Sequence, residues 1–155
     1  MQERPDAVEF DMEKVLYTAE ATVTGGRSGH GRTSDGALEV DLMPPREMGG
    51  SGDGTNPEQL FAIGYAACFE GALGVAARRR SVDADDAVID ARVHLLPTGD
   101  GAFTIAVDLD VTLPSVREEQ AAIELVRAAH VVCPYSNATR GNIAVTLTAN
   151  GAAVG

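Results

Sequence analysis

The chain has 155 residues, enough for one domain with a real core, and a 45% hydrophobic share lets it fold without covalent staples. Its 12 Lys plus Arg against 23 Asp plus Glu give a net charge of −11, a field that repels nucleic acid and anionic membrane surfaces, so neither is an expected partner. Two cysteines are too few for a disulfide scaffold and, without His or Asp ligand spacing beside them, too few for a zinc site.

Residues 1–14, MQERPDAVEFDMEK, are polar and acidic, lack an apolar export core and read as a flexible leader. The expected compartment is cytoplasmic, where a disulfide is catalytic or sensing rather than structural. VLYTAEATVTG alternates, with Val15, Tyr17, Ala19, Ala21 and Val23 on one face, and predicts a half-buried strand. GGRSGHGRTSDG reads as a loop, and ALEVDLM as a second strand with Leu38, Val40 and Leu42 inward.

A Gly-rich connection, Pro44 to Pro57, leads into the first helix. Asn56 is the expected N-cap, Pro57 stands at N1 and Gln59 at N3. The helix is apolar nearly all round, which predicts a buried central helix; its small residues, Ala62 to Gly74, permit close approach of another backbone. Its most apolar window, Leu60 to Ala77, carries Glu70 and three glycines and is not read as a membrane span.

AVIDARVHLL and FTIAVDLDVTL predict a hairpin across PTGDG, the second strand turning Phe103, Ile105, Val107, Leu109, Val111 and Leu113 inward. Ser115 and Glu118 form an S-x-x-E capping box for a second helix, with Ala122, Val126, Ala129 and Cys133 on one face and Pro134 ending it. IAVTLTA is a last strand, and residues 150–155 read as a loose tail. The order is ββ–α–ββ–α–β, an α+β domain over residues 15–149.

Cys68 sits mid-helix and Cys133 at a helix end before a Pro-Tyr-Ser turn. By local sequence each is as well explained as a small buried hydrophobe. A reactive thiolate in apolar surroundings needs a cation, most naturally an arginine. Glu58 suits the first turn of its helix, Arg27 a solvated loop, and His30, His94 and His130 are scattered. His130 lies three residues before Cys133, which leaves a Cys–His nucleophile pair as a minor alternative.

Three blocks in order, LYTAEATVTGGRSG, DGTNPEQLFAIGYAACFEGAL and AHVVCPYSNATRGNIAV, resemble the organic hydroperoxide resistance proteins, a branch of the OsmC-type family, over roughly residues 15 to 149. The resemblance implies an OsmC-like fold with antiparallel sheets around the central helix, an intertwined homodimer, and a Cys-based peroxidase that reduces organic hydroperoxides to alcohols. It makes Cys68 the peroxidatic and Cys133 the resolving cysteine, Arg27 the thiolate-stabilising group and Glu58 the carboxylate that holds Arg27. It implies no bound cofactor or metal, and a dihydrolipoyl dithiol on a lipoylated protein as the external reductant. Phe61, Tyr65 and Phe69 are expected to wall an apolar substrate pocket. Ile63 stands where these proteins commonly carry a smaller residue, which would narrow that pocket, and the leader is longer than usual.

Glu58 and Cys68 lie ten residues apart in one helix, about 15 Å along its axis and about 80° apart in bearing. One Arg27 side chain does not easily touch both, so each site is expected to be completed across a subunit interface. A non-catalytic thiol redox sensor or ligand-binding module on the same fold is the alternative.

Overall fold

A computed structural model describes residues 11–155. The expectation for the leader falls mostly on residues outside that range; of the rest, Asp11 caps a single 3-10 turn, Met12–Lys14. The chain forms two compact units, Met1–Thr55 and Asn56–Gly155, and the domain expected over residues 15–149 is made of both.

The first unit holds a three-stranded antiparallel sheet in the order β1 (Ala21–Thr24), β2 (His30–Thr33) and β3 (Glu39–Asp41). Two expectations change here. GGRSGHGRTSDG is not all loop, because its centre is β2, paired with β1 from Ala21↔Thr33 to Thr24↔His30. Glycines hid this strand: Gly31 has no side chain to show the pattern, and a Cβ there would meet Val23 at a tight 3.3 Å and Val40 and Leu42 at ordinary contact distance. The first strand is also shorter than the alternation predicted. Val15, Leu16 and Tyr17 are exposed and non-helical, and all four residues of β1 are exposed in the single chain.

The second unit opens with α1 (Pro57–Arg79), which starts as expected: the Asn56 side chain accepts from the Gln59 N–H at 2.8 Å, and Pro57 occupies N1, where no N–H is needed. A hairpin follows, β4 (Val88–Pro97) with β5 (Phe103–Thr112), in register from Val88↔Thr112 to Pro97↔Phe103. Val107, Leu109, Val111 and Leu113 are buried as predicted, whereas Phe103, at the hairpin end, is exposed.

The helix α2 (Glu119–Val132) begins later than the S-x-x-E reading placed it. Glu118 is its N-cap, accepting from the Gln120 and Ala121 N–H groups, while the Ser115 hydroxyl donates to Asp86. The predicted face is correct: Ala122, Val126, Ala129 and Cys133 all lie in the core. Pro134 ends α2 and also begins α3 (Pro134–Thr139), a short helix the sequence analysis lacked. The chain then enters β6 (Val145–Ala149), parallel to β5. This pair departs from the all-antiparallel expectation because a helical crossover returns the chain to the same end of the sheet.

The tail is not loose. Ala152–Val154 forms β7, antiparallel to β6, giving the sheet order β4-β5-β6-β7. Asn150 and Gly151, at φ 49° and 85°, make the two-residue hairpin turn between Ala149 and Ala152. The Asn150 side chain also accepts from the Leu113 N–H and donates to the Leu113 and Val116 carbonyls.

Both long helices pack beside this sheet, α1 against α2 and β4, and α2 against β6 and β7. By length and composition alone α1 could cross a bilayer, contrary to the reading of its sequence. Its buried residues Tyr65, Phe69, Ala72, Leu73, Ala76 and Ala77 instead belong to the core of this unit. Its other face carries the exposed Ile63, Ala67 and Gly71, so the helix is buried on one side within the chain rather than all round.

Replacing Asn150 tests the turn. Asn150→Gly keeps the left-handed backbone and loses only the side-chain bonds, about 1 to 2 kcal/mol in urea unfolding. Asn150→Ala loses the same bonds and adds the left-handed penalty, so it is the less stable of the two.

Candidate active site

The site is built where α2 gives way to α3. Proline at position 134 disfavours helical backbone at the residue before it, and Cys133 is extended, with φ −63° and ψ 123°. Cys133 is therefore the C-cap of α2 and the N-cap of α3 at once. Its side chain turns back over α3, where the sulfur accepts from the Ser136 N–H at 3.5 Å. The same sulfur meets Cys68 of α1, Sγ to Sγ, at 3.7 Å. Two thiols far apart in sequence are thus in van der Waals contact, and both are free.

Their surroundings differ. Cys133 is fully buried, while Cys68 is half-buried. Burial pushes the Cys68 thiol above its ordinary value; the nearby Tyr135 backbone N–H opposes this, and the neighbouring Cys133 adds to the rise.

Around the thiols stand three rings: Phe61 lies 5.8 Å from Tyr65 edge-on, and Tyr135 lies 5.6 Å from both. Tyr135 rests on Gly64, where a Cβ would stand 2.9 Å from its hydroxyl. The expected pocket wall changes accordingly. Tyr65 and Phe69 are completely buried core side chains, Phe61 is half-buried, and Ile63 is 70% exposed on the far side of the helix, where it narrows nothing within this chain. Tyr135 was not among the expected site residues, although its place in the Cys-Pro-Tyr-Ser turn marks it as a neighbour of Cys133.

It also missed a buried polar cluster. The Tyr65 hydroxyl lies 3.0 Å from both Ser136 Oγ and Thr139 Oγ1, and His130 Nδ1 lies 2.8 Å from Ser136 Oγ. His130 Nδ1 is therefore bound to Ser136, and among the described residues no hydrogen bond joins the ring to Cys133. Its carbonyl accepts from Arg140, whose guanidinium also bonds Asn137.

Glu58 occupies the first turn of α1 and is half-buried. Arg27 lies in the first unit, in the turn Gly26–Ser28 between β1 and β2. Gly25 takes a left-handed φ of 77° there, and at Gly29 a Cβ would lie 1.7 Å from the Thr24 carbonyl oxygen, so glycine is obligatory at that end of the turn. His30 is held between Asp41 and Glu39, and His94 bonds Asp108. Among the described residues no cluster of three or more His, Cys, Asp or Glu could hold a metal ion.

The OsmC-like protein family matches residues 50–148. The chain belongs to the OsmC-like family. Within it the chain falls in the organic hydroperoxide resistance branch. It is 54% identical over 140 residues to the organic hydroperoxide resistance protein of Xanthomonas axonopodis pv. citri, covering 88% of this chain and 96% of that one. A Vibrio cholerae protein with captopril in one of its active sites superimposes with a TM-score of 0.87 at 46% identity, over 92% of this chain and 98% of that chain. An organic hydroperoxide resistance protein of Legionella pneumophila gives 0.83 at 47%, over 86% and 97%. These relatives agree with the OsmC-like α+β fold expected from the three sequence blocks.

The half-buried His130 imidazole of this OsmC-like chain has a measurable consequence. Burial, then the Arg140 charge, lowers the His130 pKa below its ordinary 6.5. The unfolded chain therefore takes up a proton at higher pH than the folded one. This residue costs no stability well above pH 6.5, and its cost grows as pH falls below that value toward the folded pKa. Between about pH 7 and pH 5, stability from urea denaturation should fall less in His130→Asn, which cannot titrate, than in the parent.

Proposed function

We propose that this chain is a thiol peroxidase that reduces organic hydroperoxides to alcohols. The observation that carries the reading is the 3.7 Å contact between Cys68 and Cys133; the names of the Xanthomonas and Legionella relatives support the substrate class. Cys68, as thiolate, attacks the terminal peroxide oxygen. The O–O bond breaks, the alkoxide leaves as alcohol with a proton, and Cys68 becomes a sulfenic acid. Cys133 then attacks the Cys68 sulfur, water leaves, and a disulfide replaces the S–OH bond. An external dithiol, for which we assign a dihydrolipoyl group, reopens it by exchange and carries away the two electrons as its own disulfide.

The difference in exposure supports this division of roles, since oxidant reaches the half-buried sulfur first. Burial raises the Cys68 thiol, so the reactive thiolate requires a cation. We assign that role to Arg27 and the orientation of its guanidinium to Glu58, through the planar fork that suits a carboxylate. We further assign the active unit as a homodimer. The exposed Ile63 face of α1 and the exposed Val15, Leu16 and Tyr17 are apolar surface that a second copy would cover. Apolar surface on Phe61 and Tyr135 beside the thiols suits an organic tail over hydrogen peroxide.

With an alkyl hydroperoxide and dihydrolipoamide, the parent should turn over continuously and Cys68→Ser should lose all turnover. Mass spectrometry after one equivalent of peroxide should find a Cys68–Cys133 disulfide. Sulfonic Cys68 with untouched Cys133 would remove the resolving role, and a single oxidation without turnover would make the protein a sensor.

The shared site is tested by mixing two inactive variants, Cys68→Ser and Arg27→Ala. If each Cys68 uses the partner's arginine, mixed dimers regain one complete site of the two. If both groups come from one chain, the mixture stays inactive.

A further inference from the structure

The buried cluster beside the thiols has a proton inventory. Four contacts need one proton each: His130 Nδ1 to Ser136 Oγ at 2.8 Å, Ser136 Oγ to Tyr65 Oη at 3.0 Å, Tyr65 Oη to Thr139 Oγ1 at 3.0 Å, and Thr139 Oγ1 to the Ser136 carbonyl at 3.3 Å. The hydroxyls of Ser136, Tyr65 and Thr139 supply three. If His130 Nδ1 were an acceptor, Ser136 would spend its proton on the ring and one contact would lack a donor. If Nδ1 carries the hydrogen, all four are made in one direction: Nδ1–H to Ser136, Ser136 to Tyr65, Tyr65 to Thr139, and Thr139 to the Ser136 carbonyl. Tyr65, Ser136 and Thr139 are all buried, so the contacts are made within the protein.

We infer that His130 is held as the Nδ1–H tautomer at the head of this one-way chain, and that it is thereby a positioning residue for the closure of Cys133 onto Cys68. The placement of the four residues carries the second half. Tyr65 lies one turn before Cys68 on α1, His130 one turn before Cys133 on α2, and Ser136 on α3 also gives its N–H to the Cys133 sulfur. The chain therefore ties together the three helices that set the 3.7 Å gap. Its functional meaning rests on the thiol peroxidase reading, but the tautomer and the closure do not require peroxidase activity.

Two measurements test it. Long-range proton–nitrogen NMR on the reduced parent, near pH 8, should show the neutral His130 ring protonated at Nδ1; protonation at Nε2 overturns the inference. Disulfide closure is read separately with diamide, whose azo bond takes up two electrons and two protons from the two thiols. Asn places an amide donor near the position of Nδ1, whereas Gln does not. His130→Asn should close at nearly the parental rate, and His130→Gln about fivefold more slowly, the factor expected for one buried hydrogen bond. Equal rates in the two variants overturn the positioning role. Because diamide bypasses the peroxide step, a parent that closes normally yet fails to reduce hydroperoxides counts against the peroxidase reading alone.

Discussion

The site depends on one backbone constraint, the extended conformation of Cys133 ahead of Pro134. Proline excludes a continuous helix at this point, so α2 stops and α3 starts again in a new direction from the same residue. A continuous helix would leave Cys133 on the regular α2 face, among Ala122, Val126 and Ala129. The break instead frees the thiol to cap α3 and to reach Cys68. The parallel β5–β6 crossover and the packing of α2 on α1 bring the helices together. The Cys-Pro junction turns that packing into a contact between sulfurs.

Stability and reactivity pull in opposite directions here. A core residue is safe from oxidant, and burial favours the neutral thiol. Cys133 is fully buried, whereas Cys68 is partly exposed and its pKa is raised by burial; in the proposed peroxidase cycle this difference decides which sulfur meets oxidant first. The Tyr135 amide offsets part of that rise with a fixed dipole that needs no charged group in the core. Nearby, Tyr65, Ser136 and Thr139 are polar, buried and fully hydrogen-bonded, so they add order among the helices without an unmet desolvation cost.

Much of this was legible in the sequence because it depended on local rules. The Asn56-Pro57 start of α1, the Ala122 to Cys133 face and the β4–β5 hairpin each follow from a cap, a period or a turn. The misses came from elements whose signals were read only one way. Pro134 was taken as a stop, although proline at N1 is also a start. Gly31 looked like a loop residue because glycine contributes no side chain to a strand's alternation. Asn150-Gly151 carries a strong hairpin signal, obscured by the small residues after it. The alternation through Tyr17 was real, but the face it describes is exposed in the single chain. No local rule announces that Tyr65, three residues before Cys68, meets Ser136 and Thr139; only the packing of α1 on α3 does that.

The distance between the sulfurs also says where movement would be needed for the proposed disulfide. A disulfide needs about 2.05 Å, so closure from 3.7 Å takes roughly 1.7 Å. Neither long helix supplies this cheaply: α1 and α2 both carry core residues packed against the sheet, and sliding either would disturb many close contacts at once. The six residues of α3 are the smaller body, joined to α2 at the one extended residue that holds the thiol. Rotation of the Cys133 side chain, with a small displacement of α3, would therefore close the gap with least disruption. Tyr135 lies on α3 and would feel that displacement directly, because its ring rests on Gly64 of α1.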